Sequence, residues 1–139
     1  MQQSSKHPNA PLDLCLALVR ASAAVTRKLD GRLGSLHGIS FADFAILKQL
    51  ASAPDMRMRR VDLADALGVT ASGATRALIP LEKIGLVSRQ TDRRDARVGY
   101  ATLTAAGRRL LADAVETAQE ASHSLLQEHD FRTEFATSR

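Results

Sequence analysis

Residues 61–107 read VDLADALGVTASGATRALIPLEKIGLVSRQTDRRDARVGYATLTAAG, and this stretch decides the fold. Its first part predicts a helix at 61–67 and a second helix after Thr70, with a turn at Gly68, which can take the left-handed conformation that ends a helix. Two runs rich in Val, Tyr and Thr predict strands at 86–90 and 98–103. The arginine-rich segment between them predicts the tip of a hairpin.

The second helix has one apolar and one polar side. Its apolar residues recur at helical spacing and are Ala71, Ala74, Leu78 and Leu81. The other side carries Ser72, Thr75 and Arg76. Short hydroxyl side chains let a helix approach a major groove closely, and arginine can pair bidentately with guanine. This side therefore predicts base contacts, although an ordinary solvated helix face would show the same polar stripe.

Five motifs follow one another along the chain: Leu63-Ala-x-x-Leu-Gly-Val-Thr70, Ser72-x-x-Thr-Arg76, Leu81-Glu-x-x-Gly-Leu-Val-x-Arg89, Asp95-x-Arg97 and Leu103-Thr-x-x-Gly-Arg108. In order and spacing they resemble the winged helix-turn-helix of the MarR family of bacterial transcription regulators. The resemblance implies a mainly α fold with a small β-wing. It places a winged helix-turn-helix DNA-binding domain at 37–104 and dimerisation helices at 12–36 and 105–139, after a flexible, proline-containing arm at 1–11.

Three arginines lie together in the hairpin tip, where their mutual repulsion favours a nearby polyanion. The resemblance implies that Arg97 enters a minor groove, where A·T-rich stretches concentrate negative potential, and that Asp95 stabilises the wing by holding Arg97. A solvated turn with locally paired charges is the alternative. The predicted DNA contacts are Thr70, Ser72, Thr75 and Arg76 in the helix and Arg93, Arg94 and Arg97 in the wing.

The chain of 139 residues carries a net charge of +4, but this charge is unevenly spread. Residues 76–109 hold eight Arg or Lys against three acids, whereas residues 110–139 hold two against six. Because clustered cations release counterions from phosphate, the basic segment predicts salt-dependent binding to double-stranded DNA. The single cysteine fits a cytoplasmic protein, and no apolar run is long enough to predict a membrane span.

Residues 12–33 predict a helix with two apolar stripes. One stripe consists of Leu12, Leu16, Val19 and Ala23, and the other of Leu14, Leu18, Ala21 and Val25. So short a chain has few helices to cover both sides, which favours a homodimer over a helix buried within one chain. The resemblance also implies that the terminal helices of two chains interlock, and that a small aromatic or anionic effector binds between those helices and the DNA module.

Other residues predict where helices begin and end. Gly34 and Gly38 are expected to break the first helix, and Ser40 and Asp43 to form the capping box of the next one. Thr104 is expected to cap the long last helix.

The remaining irregular positions are Pro80 and a charged connector. Pro80 lies inside the second helix of the motif, where it predicts a kink or a break. Residues 55–60 are interpreted as a connector whose Arg57, Arg59 and Arg60 either contact phosphate or are simply solvated.

Cys15 is the residue most open to a chemical role. Its placement resembles that of the peroxide-sensing cysteine in some members of the family, but the tyrosines that accompany the sensor there are missing, since Tyr100 is the only tyrosine. A buried structural cysteine is favoured. His123 and His129 are six residues apart and share no helical face, so no metal site is predicted. The sequence contains no glycine-rich phosphate loop and no nucleophile elbow, so neither a cofactor nor an enzyme activity is predicted.

The sequence therefore predicts a homodimeric transcriptional regulator, interpreted as a ligand-responsive repressor that binds a palindromic DNA site. One alternative is a winged-helix protein-interaction module without DNA binding, although such a module is expected to lose the arginines and small hydroxyls of the reading face. The other alternative is a peroxide-sensing regulator that uses Cys15.

Overall fold

The computed structural model describes residues 9–131, which contain five α-helices and a three-stranded antiparallel sheet. The elements are α1 (Ala10–His37), α2 (Phe41–Ser52), β1 (Arg57–Arg59), α3 (Arg60–Leu67), α4 (Ala71–Lys83), β2 (Val87–Thr91), β3 (Gly99–Leu103) and α5 (Ala105–Glu128). The predicted mainly helical fold with a small β-wing is confirmed. Most of the predicted arm, residues 1–8, and the end of the C-terminal segment, residues 132–139, lie outside the described residues.

Helix α1 is longer than predicted. It begins at Ala10 and passes through Gly34 to His37, so the prediction that Gly34 breaks the helix is wrong. A helical glycine costs only about 1 kcal/mol relative to alanine, and the neighbouring Leu33 is fully buried in the core. Gly38 does end the helix, since it takes a φ of +71° and its N–H donates to the carbonyl oxygen of Gly34.

The core lies between α2, α3, α4, α5, the sheet and the C-terminal half of α1. Its largest fully buried side chains are Leu33, Ile46, Leu47, Leu50, Leu63, Leu78 and Leu81. The N-terminal half of α1 lies outside this core and leaves its leucines exposed. None of the described helices is both long and apolar enough to cross a lipid bilayer.

Side-chain caps begin three of the helices as predicted. At α2, the hydroxyl of Ser40 accepts a hydrogen bond from the N–H of Asp43, and the carboxylate of Asp43 accepts one from the N–H of Ser40. Both donor–acceptor distances are 3.0 Å. At α5, the hydroxyl of Thr104 accepts from the N–H of Gly107 over 3.0 Å. Thr70 caps α4 in the same way. These bonds satisfy amides that have no partner in the first helical turn.

The sheet has the strand order β1-β3-β2. Strand β2 pairs with β3 from Val87 opposite Leu103 to Thr91 opposite Gly99, which forms the wing. Strand β1 pairs with the other edge of β3, with Arg59 opposite Tyr100. The sequence predicts only a connector here, and this prediction is wrong, because a three-residue strand is too short to show an alternating pattern.

A kink or a break was predicted at Pro80, and the break is excluded because helix α4 continues through Pro80 to Lys83. Proline lacks only the N–H that would bond the carbonyl oxygen of Arg76, and one lost bond in the last turn does not end a helix that packs on the core. The apolar side of α4 also begins later than predicted. Ala74, Leu78 and Leu81 are buried, whereas Ala71, the first helical residue, is exposed.

Candidate nucleic-acid interface

The turn between α3 and α4 sets the direction of α4. Gly68 ends α3 with a φ of +71°, and the N–H of Val69 donates to the carbonyl oxygen of Ala64 over 3.0 Å. The hydroxyl oxygen of Thr70 then accepts a hydrogen bond of 3.0 Å from the N–H of Gly73. Both local predictions, the left-handed Gly68 and the Thr70 cap, are confirmed.

The outer face of α4 carries the residues predicted to contact bases. Thr70, Ser72 and Arg76 are exposed and Thr75 is half-buried, while Ala74 on the inner side is only 1% exposed. Within residues 9–131, no carboxylate forms an ion pair with Arg76. Its guanidinium is therefore free to bind an external acceptor.

A network centred on Asp92 organises the tip of the wing. Its Oδ1 atom accepts hydrogen bonds from the N–H of Arg94, at 2.6 Å, and from the N–H of Asp95, at 3.1 Å. The hydroxyl of Tyr100 lies 3.4 Å from Oδ2. No role was predicted for Asp92, although an aspartate that bonds backbone N–H groups two and three residues later is a recognised turn signal.

Asp95 and Arg97 form a bidentate ion pair at the base of the same tip. The Nε and Nη2 atoms of Arg97 lie 3.0 and 3.1 Å from the two carboxylate oxygens of Asp95, and the N–H of Arg97 donates to Oδ1 over 3.0 Å. The side chain of Arg97 nevertheless remains 90% exposed. The pair fixes the direction of the guanidinium without removing it from solvent.

Both wing carboxylates are stabilised in their charged form. Hydrogen bonds from the backbone N–H groups of Arg94 and Asp95 lower the pKa of Asp92, and the side chain of Arg97 lowers the pKa of Asp95. Because these pKa values are lower in the folded protein, the carboxylates stabilise the wing above the usual aspartate pKa of 3.8. This stabilisation is lost as the pH falls through the folded pKa values.

Replacement of Asp92 by alanine is expected to loosen the wing tip, because two backbone N–H groups lose their acceptor. Amide heteronuclear NOE values of residues 93–97 should fall while those of the helices stay unchanged, and acidifying the parent protein should have the same effect. Asp92→Asn keeps an acceptor oxygen and is the matched control, which should retain most of the order. Unchanged NOE values in Asp92→Ala would show that this network does not organise the tip.

Four of the predicted DNA contacts line two separate concave surfaces. Thr75 of α4 and Arg97 of the wing line one cleft of about 450 Å³, so α4 and the wing meet there. Arg93 and Arg94 instead line a cavity of about 680 Å³ that also includes Tyr100. In that cavity Arg57 of β1 lies over the Tyr100 ring, with its guanidinium carbon 4.6 Å from the ring centroid.

Cys15 is exposed in this chain, contrary to the expectation of a buried structural cysteine. Its neighbours Leu14 and Leu16 are 39% and 48% exposed, because the first turns of α1 extend beyond the core. Among the residues that the structure describes, no group of three or more His, Cys, Asp or Glu side chains could hold a metal ion.

Residues 39–98 match the family model of the MarR family. No curated protein matches the chain. Among solved structures, Sco3205, a MarR family transcriptional regulator from Streptomyces coelicolor in complex with DNA, is 27% identical with a TM-score of 0.75, over 81% of this chain and 70% of that one. The transcriptional regulator BldR from Sulfolobus solfataricus is 29% identical with a TM-score of 0.78, over 93% and 88%. A mutant MarR from E. coli complexed with operator DNA is 24% identical with a TM-score of 0.76, over 86% and 84%, and shows the shared fold.

Proposed function

We propose that this protein, whose residues 39–98 match the model of the MarR family, binds duplex DNA as a homodimer and represses transcription from a palindromic site. The observation that carries the proposal is the cleft at which Thr75 of α4 and Arg97 of the wing meet. A helix with exposed hydroxyls can enter a major groove, and an arginine on a hairpin can enter the neighbouring minor groove.

The reading helix supplies the direct contacts with bases. Ser72 and Arg76 project from its exposed side, and Thr75 lies beside them at the edge of the cleft. A bidentate arginine contact with guanine contributes about 1–3 kcal/mol of discrimination against other bases. Arg76 is therefore the proposed principal specificity residue, with the cap Thr70 at the N-terminal end of the same surface.

The wing supplies contacts that depend on groove shape. Arg97 is held by Asp95 and remains exposed, while Arg93 and Arg94 are exposed at the tip beyond it. Three cations on one hairpin match the negative potential of a narrow minor groove and its flanking phosphates.

The N-terminal half of α1 supports a homodimer. Its apolar side chains, Leu12, Leu14, Leu16, Leu18 and Val19, are between 39% and 65% exposed in the single chain. Two stripes of exposed apolar side chains on one helix favour association, because their burial removes apolar surface from water. Two copies related by a two-fold axis would present two reading helices to a palindromic site.

A groove between α2 and α5 supports control by a small effector. Phe41, Phe44, Val115 and Leu126 line a cavity of about 390 Å³, with Lys48 and His123 also in its lining. The Phe41 and Phe44 rings are stacked, with their centroids 6.2 Å apart. Aromatic walls with a lysine fit an aromatic or anionic ligand. Since the groove joins the proposed dimerisation helix α5 to the DNA module, a ligand there could change the spacing of the two reading helices.

The proposal is tested by selecting bound fragments from a random duplex pool and measuring affinity for the recovered site by fluorescence anisotropy at several salt concentrations. Arg76→Ala is expected to weaken binding by roughly five- to 150-fold per half-site, the equivalent of one bidentate base contact in each protomer. Arg97→Ala is expected to weaken it roughly tenfold per half-site through the loss of one minor-groove contact in each protomer.

Arg27→Ala removes the same charge from the exposed side of α1 and is the control, expected to bind like the parent protein. If Arg76→Ala and Arg97→Ala both bind DNA as tightly as the parent protein, the proposed reading surface is excluded. Transcription in vitro from a template that carries the recovered site would then show whether occupancy represses it.

A further inference from the structure

Arg60 lies in the cleft between α4 and the wing, and neither proposed reading element contains it. It is the first residue of α3, and the cleft residues around it include Ala71 and Thr75 of α4 together with Arg97 and Gly99 of the hairpin. The side chain thus reaches from the base of α3 to the start of β3.

The guanidinium of Arg60 lies directly against the backbone of Gly99. A Cβ atom built on Gly99 would stand 2.8 Å from both Cζ and Nε of Arg60 and still closer to Nη2. Real Cβ atoms do not come this close to other heavy atoms, so the guanidinium occupies space that only glycine leaves open. Glycine at position 99 therefore leaves the space in which the charge of Arg60 is held.

The other two arginines of the cleft are already paired with acids. Arg59 bonds the carboxylate of Asp62, with Nε 2.8 Å from Oδ2, and Arg97 bonds Asp95. Arg60 is half-buried, and within residues 9–131 no carboxylate forms an ion pair with it. A held cation without a counter-ion, beside two further arginines, favours an external anion.

We propose that Arg60 binds a phosphate of the DNA strand that passes from the reading helix to the wing, and that Gly99 positions its guanidinium for this contact. The inference rests on the proposed function. A duplex that holds α4 in one groove and the hairpin in the next must carry its sugar-phosphate backbone across the cleft between them. A planar guanidinium is suited to a phosphodiester there, because it can donate two parallel hydrogen bonds to two phosphate oxygens.

The contact has a signature that separates it from a base contact. The affinity of a protein for B-DNA falls with salt with a logarithmic slope of about 0.9 per neutralised phosphate. Arg60→Ala removes one phosphate contact from each protomer of the proposed dimer, so it is expected to reduce the slope by about two and to weaken binding roughly three- to tenfold per half-site. The loss should be equal for the selected duplex and for a scrambled duplex of the same length, since phosphates carry no sequence information.

Three further variants test the role of Gly99 and the fold. Arg60→Lys keeps the charge and should keep the parent salt slope. Gly99→Ala should reduce the salt slope and the DNA affinity as Arg60→Ala does, because its methyl group displaces the guanidinium. Its thermal stability should change little, since the end of a flexible side chain can move. The double variant should bind no more weakly than Arg60→Ala, as expected for two residues that act through one contact.

Anisotropy titrations from 50 to 300 mM salt with both duplexes decide the matter. A parent-like slope in folded Arg60→Ala would overturn the inference, and so would a loss confined to the selected duplex or effects that multiply in the double variant. If Arg60→Ala does not fold, Gly99→Ala carries the same test. Failure of the unmodified protein to bind either duplex would instead overturn the proposed function, and the inference with it.

Discussion

Val19→Asp is expected to convert the protein from a dimer into a monomer and to lower its affinity for a two-half-site duplex at least 100-fold. The reason is the position of Val19 on the apolar stripe that it forms with Leu12 and Leu16, where it is 65% exposed in the single chain. In the proposed dimer an aspartate there would lose its hydration without gaining a cationic partner, which is strongly unfavourable.

The loss of DNA affinity follows from the loss of the second half-site. When two reading helices are joined, the second binding event is intramolecular, and the combined affinity exceeds that of one site by a factor of about 10²–10⁴. Size-exclusion chromatography with light scattering reports the mass, and anisotropy reports the affinity. Because Val19 is exposed in the single chain, the variant should keep its helical circular dichroism.

Ile84→Asp is the matched control for the oligomeric state. Ile84 is 62% exposed and follows α4, far along the chain from the proposed dimer surface. This variant should keep the mass of the parent protein. A dimeric Val19→Asp, or an equal loss of mass in both variants, would exclude the N-terminal half of α1 as the dimer surface.

Gly107→Ala is expected to destabilise the fold by about 3 kcal/mol, at the upper end of the cost of overpacking a core. A Cβ at this position would stand 2.6 Å from Cδ1 of Leu103 and would overlap the carbonyl oxygen of Leu86. The same carbonyl oxygen accepts hydrogen bonds from both the hydroxyl and the N–H of Thr104. The first turn of α5 therefore cannot move away without breaking its own attachment to β2.

Urea unfolding followed by circular dichroism measures this loss. Gly31→Ala is the matched control, because nothing lies within 4 Å of its added methyl group and a glycine-to-alanine change within a helix stabilises it by about 0.5–1 kcal/mol. The two substitutions should thus shift the unfolding midpoint in opposite directions. A parent-like midpoint for Gly107→Ala would mean that α5 adapts more easily than its contacts indicate.

The comparison of Gly107 with Gly99 shows why sequence alone could not identify these two positions. Both glycines take ordinary backbone angles, since neither is among the glycines with positive φ. Each is required by an atom distant in sequence: the carbonyl oxygen of Leu86 in one case and the guanidinium of Arg60 in the other. No local sequence pattern predicts such a long-range contact.

Local chemistry in the sequence was sufficient for the helix boundaries that depend on neighbouring residues. Ser40, Thr70 and Thr104 cap their helices, and Gly38 and Gly68 end theirs, because each forms bonds within about four residues. The buried stripes of α4 and α5 also follow from helical spacing, which needs no knowledge of the packing partner.

The sequence by itself thus determined the order of the helices and of the two wing strands, the helix caps and the basic composition of the reading surface. Only the tertiary structure decided that β1 pairs with β3, that α1 continues through Gly34, and that Arg60 shares a cleft with Thr75 and Arg97. The physical reason is the separation along the chain of the residues that interact. Caps and periodicity depend on interactions over a few residues, whereas strand pairing, core burial and the gathering of charges at a cleft depend on contacts between segments that fold together from distant parts of the chain.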